Sequence, residues 1–210
     1  MTAQVRGRFI SLEGGEGVGK STQARALAVA LRARGTEVVE TREPGGSPGA
    51  EAIRKLLLEG DAGRWNARAE ALLFAAARAD HVARTIRPAL ERGAWVICDR
   101  FVDSSIAYQG GADGLGDDAV RALHAIGSED FLPDRTLLLA LPGALAVERG
   151  RARDAGSPDR FGARDAAYHA RVAATFARLA AEDPTRWRVV DAEGAAEAVT
   201  ARLLAAVADL

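Results

Sequence analysis

Eight residues near the start of the chain carry its most specific chemical signal. Gly14, Gly15, Glu16, Gly17, Val18, Gly19, Lys20 and Ser21 match the pattern G-x-x-x-x-G-K-[ST]. Glycines let a backbone curl so that successive N–H groups face phosphate oxygens. A helix beginning at Lys20 would turn the positive end of its dipole toward the same anion. In this pattern the lysine reaches the β- and γ-phosphates of a nucleoside triphosphate, and the Ser21 hydroxyl ligates Mg2+. The bland alternative is a glycine turn with a chance lysine. It fits poorly with a chain whose 28 basic residues include just two lysines, Lys20 and Lys55, against 26 arginines. Lys55 reads as a solvated helix residue.

Other residues suggest partners for that cradle. Asp99 follows the apolar run Trp95 to Cys98 and suits an acid that holds Mg2+ through water. The alternative is the N-cap of a helix starting near residue 103. Phe74 and Arg78 are four apart and so share a helical face. There a ring can stack on a pyrimidine and a guanidinium can donate to a base carbonyl. The other reading makes Phe74 core and Arg78 a surface charge. Arg149, Arg151, Arg153 and Arg160 are interspersed with Gly150, Gly156 and Pro158. That mixture fits a movable, phosphate-clamping segment, or else a solvated arginine-rich helix.

The elements that must position these groups alternate. Strands are expected at Phe9–Leu12, Thr36–Glu40, Ala94–Cys98, Thr136–Leu141 and Trp187–Val190. Helices are expected at Lys20–Arg34, near 48–59, 66–91, 103–110, 117–127, 142–152 and 163–182, and at Ala195–Ala208. The strands alternate with helices and lack a polar/apolar alternation of their own. This predicts an α/β fold with a five-stranded parallel sheet and helices on both faces. Ligands of such sheets sit beyond the carboxyl ends of the strands, so the chemistry should gather after residues 12, 40, 98, 141 and 190.

Composition narrows the class. The chain has 210 residues and a formal net charge of −1. That balance argues against a general nucleic-acid binder, though it allows a local arginine cluster around a small phosphorylated ligand. No apolar run reaches the ~18–20 residues that span a bilayer, and residues 1–8 lack a signal core, so a cytoplasmic setting is expected. The single cysteine, Cys98, forms no internal disulfide, and His81, His124 and His169 show no metal-ligand spacing. A guanine-reading N-K-x-D run is absent from the sequence, which disfavours a GTPase switch.

Four motifs occur in order: Gly14–Ser21, Thr41–Gly46 (TREPGG), Leu73–His81 (LFAAARADH) and Asp99–Gly110 (DRFVDSSIAYQG). Together they closely resemble the thymidylate kinase family over nearly the whole chain. The resemblance implies one domain over 1–210, with a P-loop nucleoside monophosphate kinase-like fold and a short lid at about 149–165. It implies Mg·ATP-dependent phosphorylation of dTMP to dTDP by a homodimer with no nucleic-acid or membrane partner. Under it, Lys20, Glu16, Arg100 and a lid arginine are catalytic. Arg153 is the foremost lid arginine, and Arg149 and Arg160 are further ATP-side groups. Arg42 and Arg100 approach the dTMP phosphate. Phe74 stacks on thymine, and Arg78 and Arg54 contact the base. Ser105 and Gln109 line the base pocket, Tyr108 lies by the sugar 2′ position, and Glu16 lies near the sugar. Glu43 joins the arginine network or stabilises its own loop. Ser21 and Asp99 hold Mg2+. Two departures stand out. Gly17 occupies a place where some members carry a phosphate-loop arginine. Gly162-Ala163-Arg164 follows Phe161 where acids are usual, so the lid acid is missing or moved to Asp165. A kinase for dUMP, UMP or AMP and a nucleotide-binding switch are the alternatives.

Overall fold

A computed structural model describes residues 6–61, 63–143, 145–146, 148–149, 160–162 and 164–210. Five short strands, β1 (Phe9–Glu13), β2 (Val38–Arg42), β3 (Trp95–Asp99), β4 (Arg135–Ala140) and β5 (Trp187–Asp191), form one sheet in the order β2-β3-β1-β4-β5. Every pairing is parallel. The chain first builds to one side of β1 and then to the other, which opens a crevice beyond the carboxyl end of β1.

Helices cover both faces. On one, Leu27 and Leu31 of α1 (Lys20–Arg32) and Val199 and Leu203 of α8 (Ala196–Ala206) pack on Ile10, Leu12, Ile97, Leu137 and Val190. The opposite face carries α3 (Ala67–His81), α4 (Arg87–Glu91), α5 (Val102–Ser105), α6 (Asp117–Ser128) and α7 (Ala166–Glu182). There Ile86, Phe101, Ile106, Val120 and Phe176 meet Phe9, Val96, Cys98, Leu138 and Trp187. Alternate residues of β1 therefore face opposite sides of the sheet, and the whole strand is buried. The remaining helix, α2 (Pro48–Leu58), starts on a Ser47 cap and packs on α3.

Three elements differ from the sequence expectation, each for a physical reason. Strand β2 runs to Arg42, because its register with β3 pairs Val38 with Trp95 and Arg42 with Asp99. The helix expected over 66–91 is broken by a π-helical turn at Val82–Ile86, in which the Arg87 N–H reaches the Val82 carbonyl. Pro88 supplies the cause: it has no N–H, and its ring crowds the carbonyl four residues back. The helix expected over 103–110 is a single α-turn, α5, that widens into π-helical turns over Ile106–Ala112.

Candidate active site

The crevice is one continuous cavity of about 750 Å3. Its lining joins the phosphate loop, the β2 and β3 carboxyl ends, one face of α3 and the π-helical segment. At its base the backbone turns through positive φ at Gly14, Gly17 and Gly19. A Cβ on Gly14 would lie 2.8 Å from the Leu139 carbonyl oxygen, so only glycine allows this approach to β4. The N-cap of α1 is Gly19, with no side-chain cap and no acid in the first turn. The positive helix end is thus left open to an anion.

Lys20 is buried and its Nζ donates to the Gly15 carbonyl at 2.6 Å. Burial pulls its ammonium down to about 8, and Arg100 adds to the effect, while Glu16, Asp99 and Glu13 oppose it. The Ser21 hydroxyl donates to Asp99 Oδ2, and Asp99 Oδ1 is buried without a hydrogen-bond partner. Asp99 does not cap α5, whose N-cap is Phe101. A hydroxyl and a carboxylate with an unused buried oxygen form a hard-oxygen pair suited to Mg2+. The donor set thus fits the ion that the sequence suggests.

At the middle of the cleft Arg100 adopts a φ of 72°. Its Nη2 donates to Glu16 Oε1 at 2.5 Å, and Nη1 donates to Ser104 Oγ at 3.1 Å and to the Gly14 carbonyl at 3.3 Å. The guanidinium lies 5.0 Å from the Tyr108 ring, and the Tyr108 hydroxyl is 3.3 Å from Glu16. Glu16 is therefore the counter-charge that aims Arg100, which accounts for an acid inside a phosphate loop.

Beyond Arg100 lies a half-apolar pocket. Phe74 backs onto the core and faces the cavity, edge-on to Phe161 at 5.7 Å. The two readings of Phe74 are both met. Arg78 is buried, not a surface charge: its Nε donates to Glu43 at 2.8 Å and its Nη2 to Ser105 Oγ at 2.7 Å. Glu43 also meets His81 Nδ1 at 3.1 Å, and His81 Nε2 meets Thr41 Oγ1 at 2.6 Å. Burial alone would raise the Glu43 carboxyl, yet Arg78 and His81 outweigh it and hold the group below its ordinary value. Arg54 donates to the Pro44 carbonyl at 2.6 Å, and exposed Arg42 is held by Glu51 at the cavity edge. Gln109 is buried and donates to Glu70 at 3.1 Å.

The lid assignments fare differently. Arg149 lies at the cavity end near Ala192, whose carbonyl it reaches at 3.3 Å. Arg153 lies outside the described residues. Arg160 does not line the cavity: it is buried, donating to the Leu57 carbonyl at 2.7 Å and pairing with Glu70 at 3.4 Å. In this structure its guanidinium is held by the Leu57 carbonyl and the Glu70 carboxylate and does not face the cavity. Asp165 caps α7 by accepting the Tyr168 N–H at 2.7 Å. Sequence reasoning overlooked Glu13, His81, Ser104, Glu70 and Phe161. Glu13 and His81 had a signal, being charged or polar groups at the end of an apolar strand and on an otherwise alanine-rich helix.

The chain is similar to known proteins over nearly its whole length. The family model described as thymidylate kinase matches residues 12–203. A thymidylate kinase of Rhizorhabdus wittichii is 71% identical over 97% of this chain and 98% of that protein. Thymidylate kinases of Gluconobacter oxydans (54% identical, covering 96% of this chain and 94% of that one) and Caulobacter vibrioides (50%, covering 94% of each) are similar throughout. The chain belongs to the thymidylate kinase family, the P-loop enzymes that phosphorylate dTMP to dTDP with Mg·ATP.

Proposed function

We propose that the cleft divides its labour along its length, with ATP phosphates on the α1 side and dTMP on the α3 side. The observation that carries this reading is the continuity of one cavity from Lys20 past Arg100 to Phe74 and Arg78. Loop N–H groups and Lys20 bind the β- and γ-phosphates. Ser21 and Asp99 hold Mg2+, which when bound neutralises phosphate charge. Phe74 stacks on thymine, and Arg78, fixed by Glu43 and Ser105, presents its fork to the base edge. Arg54, Arg42, Ser105 and Gln109 complete the acceptor pocket, and Tyr108 fills the place of a ribose 2′-hydroxyl. Arg100, aimed by Glu16, meets the dTMP phosphate. That phosphate is already anionic, so the attacking oxygen needs no general base. Positioning and charge neutralisation carry the catalysis. On the ATP side Arg149 and the lid arginine Arg153 supply further positive charge, and lid closure over 149–165 excludes water.

The whole chain, 1–210, acts as one kinase domain, supported by a single sheet whose β1, β2, β3 and β5 strands lead into cavity-lining residues. Family membership supports a homodimer; exposed Leu72 and Ile126 on the adjoining α3 and α6 are apolar surface for it. Among the described residues no helix is long and apolar enough to cross a membrane, which is consistent with work in the cytoplasm. Replacing Lys20 tests the cradle. Lys20→Ala should lower kcat by about 10²–10³-fold or more while the thermal unfolding transition stays near that of the parent. Near-normal turnover would refute the role of Lys20.

A further inference from the structure

Glu13 is the last residue of β1 and is completely buried. Burial and the neighbouring Asp103 push its carboxyl up to about 8, and such a group is costly to bury unless each oxygen is satisfied. Both are, and by one short stretch of chain: Oε1 accepts the Phe101 N–H at 2.7 Å and Oε2 accepts the Ser104 hydroxyl at 2.6 Å. That stretch carries Arg100. Ser104 Oγ in turn accepts from Arg100 Nη1 at 3.1 Å, so one hydroxyl links the guanidinium to the buried carboxyl. Arg100 itself is in the left-handed region, where a side chain is not at rest without restraint. Its own N–H is tied to the Leu12 carbonyl at 3.0 Å, and Glu13 grips the very next N–H. Asp103, the other carboxylate beside it, is taken up by Arg186 at 2.6 and 3.1 Å. Glu13 is thereby left to the Arg100 loop.

We propose that Glu13 is a positioning residue for the acceptor phosphate: it fixes the backbone turn and the Ser104 hydroxyl that together aim Arg100 into the cleft. The inference rests on the reading that Arg100 meets the dTMP phosphate. It also separates two jobs that adjoin in sequence. Glu13 precedes Gly14 of the phosphate loop, yet its hydrogen bonds go to the acceptor side.

Calorimetric titration of dTMP, thymidine and ATP into the full-length chain tests it. Thymidine lacks the phosphate that Arg100 would meet, so it reports general damage to the pocket. Arg100→Met should weaken dTMP by at least about tenfold and leave thymidine unchanged. Glu13→Gln and Ser104→Ala should do the same, with thymidine and ATP affinities within about twofold of the parent. If Arg100→Met loses dTMP affinity while both other variants keep it, the role of Glu13 is overturned and the reading of Arg100 stands. If Arg100→Met keeps it, that reading falls and takes the inference with it. Equal losses for thymidine and ATP would make Glu13 a general structural residue and overturn the proposal. Should Glu13→Gln show no cooperative unfolding transition, Ser104→Ala decides the matter.

Discussion

Glu43 shows how one buried side chain can serve both stability and recognition. Its carboxylate is shared between Arg78 and His81, and Arg78 is the group proposed above to meet the base. Burial would raise the carboxyl, but Arg78 and the hydrogen bond with His81 outweigh it and hold it below 4.5, its ordinary value. A depressed carboxyl contributes stability above its unfolded-state value, and that contribution is lost as pH falls through the folded-state value. Thermal unfolding midpoints should therefore drop below about pH 4.5. Glu43→Gln should flatten that acid limb and cost about 3 kcal/mol at neutral pH, since Arg78 keeps its buried charge and loses its counter-ion. An unchanged acid limb measured by scanning calorimetry would contradict this account. At this scale the sequence was most informative where a residue type is unusual for its setting. A lone lysine among glycines and an acid closing an apolar strand pointed to Lys20 and Asp99. Residues recruited by distant partners were not legible, because Glu70 and Arg160 lie 90 positions apart and meet only through the fold.

The elements that carry the site depart from regular helix where the site needs it. After Ser105 the chain widens into π-helical turns, and Tyr108 and Gln109, both cavity-lining, sit on them. Such turns recur at functional sites because they re-aim side chains without ending the helix. This segment packs against α7, where a Cβ on Gly111 would strike Thr175, with the Thr175 Cβ only 3.2 Å away. Gly111→Ala should therefore cost about 1–3 kcal/mol in chemical denaturation; an unchanged midpoint would show that α7 yields freely. Strand and helix order were readable from apolar runs and glycine stops, down to the five strands and their parallel pairing. The π-helical turns were not, since Val82–Ile86 and Ile106–Ala112 read locally as ordinary helix. The first set follows from Pro88, and the second packs against α7.

On the scale of the whole molecule, the charge balance of −1 says little about the ligand. The relevant positive charge is local: Lys20, Arg42, Arg54, Arg78, Arg100 and Arg149 all line one cavity. The outer surface carries a different message in Ile126, 84% exposed on α6. Ile126→Glu should shift sedimentation from twice the chain mass toward the single chain mass; a parent protein already sedimenting as one chain would contradict the homodimer. In the arginine cluster, Arg42 and Arg100 were legible in the sequence as residues following strand ends, whereas the apolar patch was not, because it is made only when α3 and α6 come together. The central claim is that this cavity couples ATP to dTMP. It is tested most directly by measuring ADP release with Mg·ATP and, in turn, dTMP, dUMP, UMP, AMP or no acceptor. The account predicts release that depends on the acceptor and is fastest with dTMP, whereas release indifferent to the acceptor, or faster with UMP than with dTMP, would contradict it.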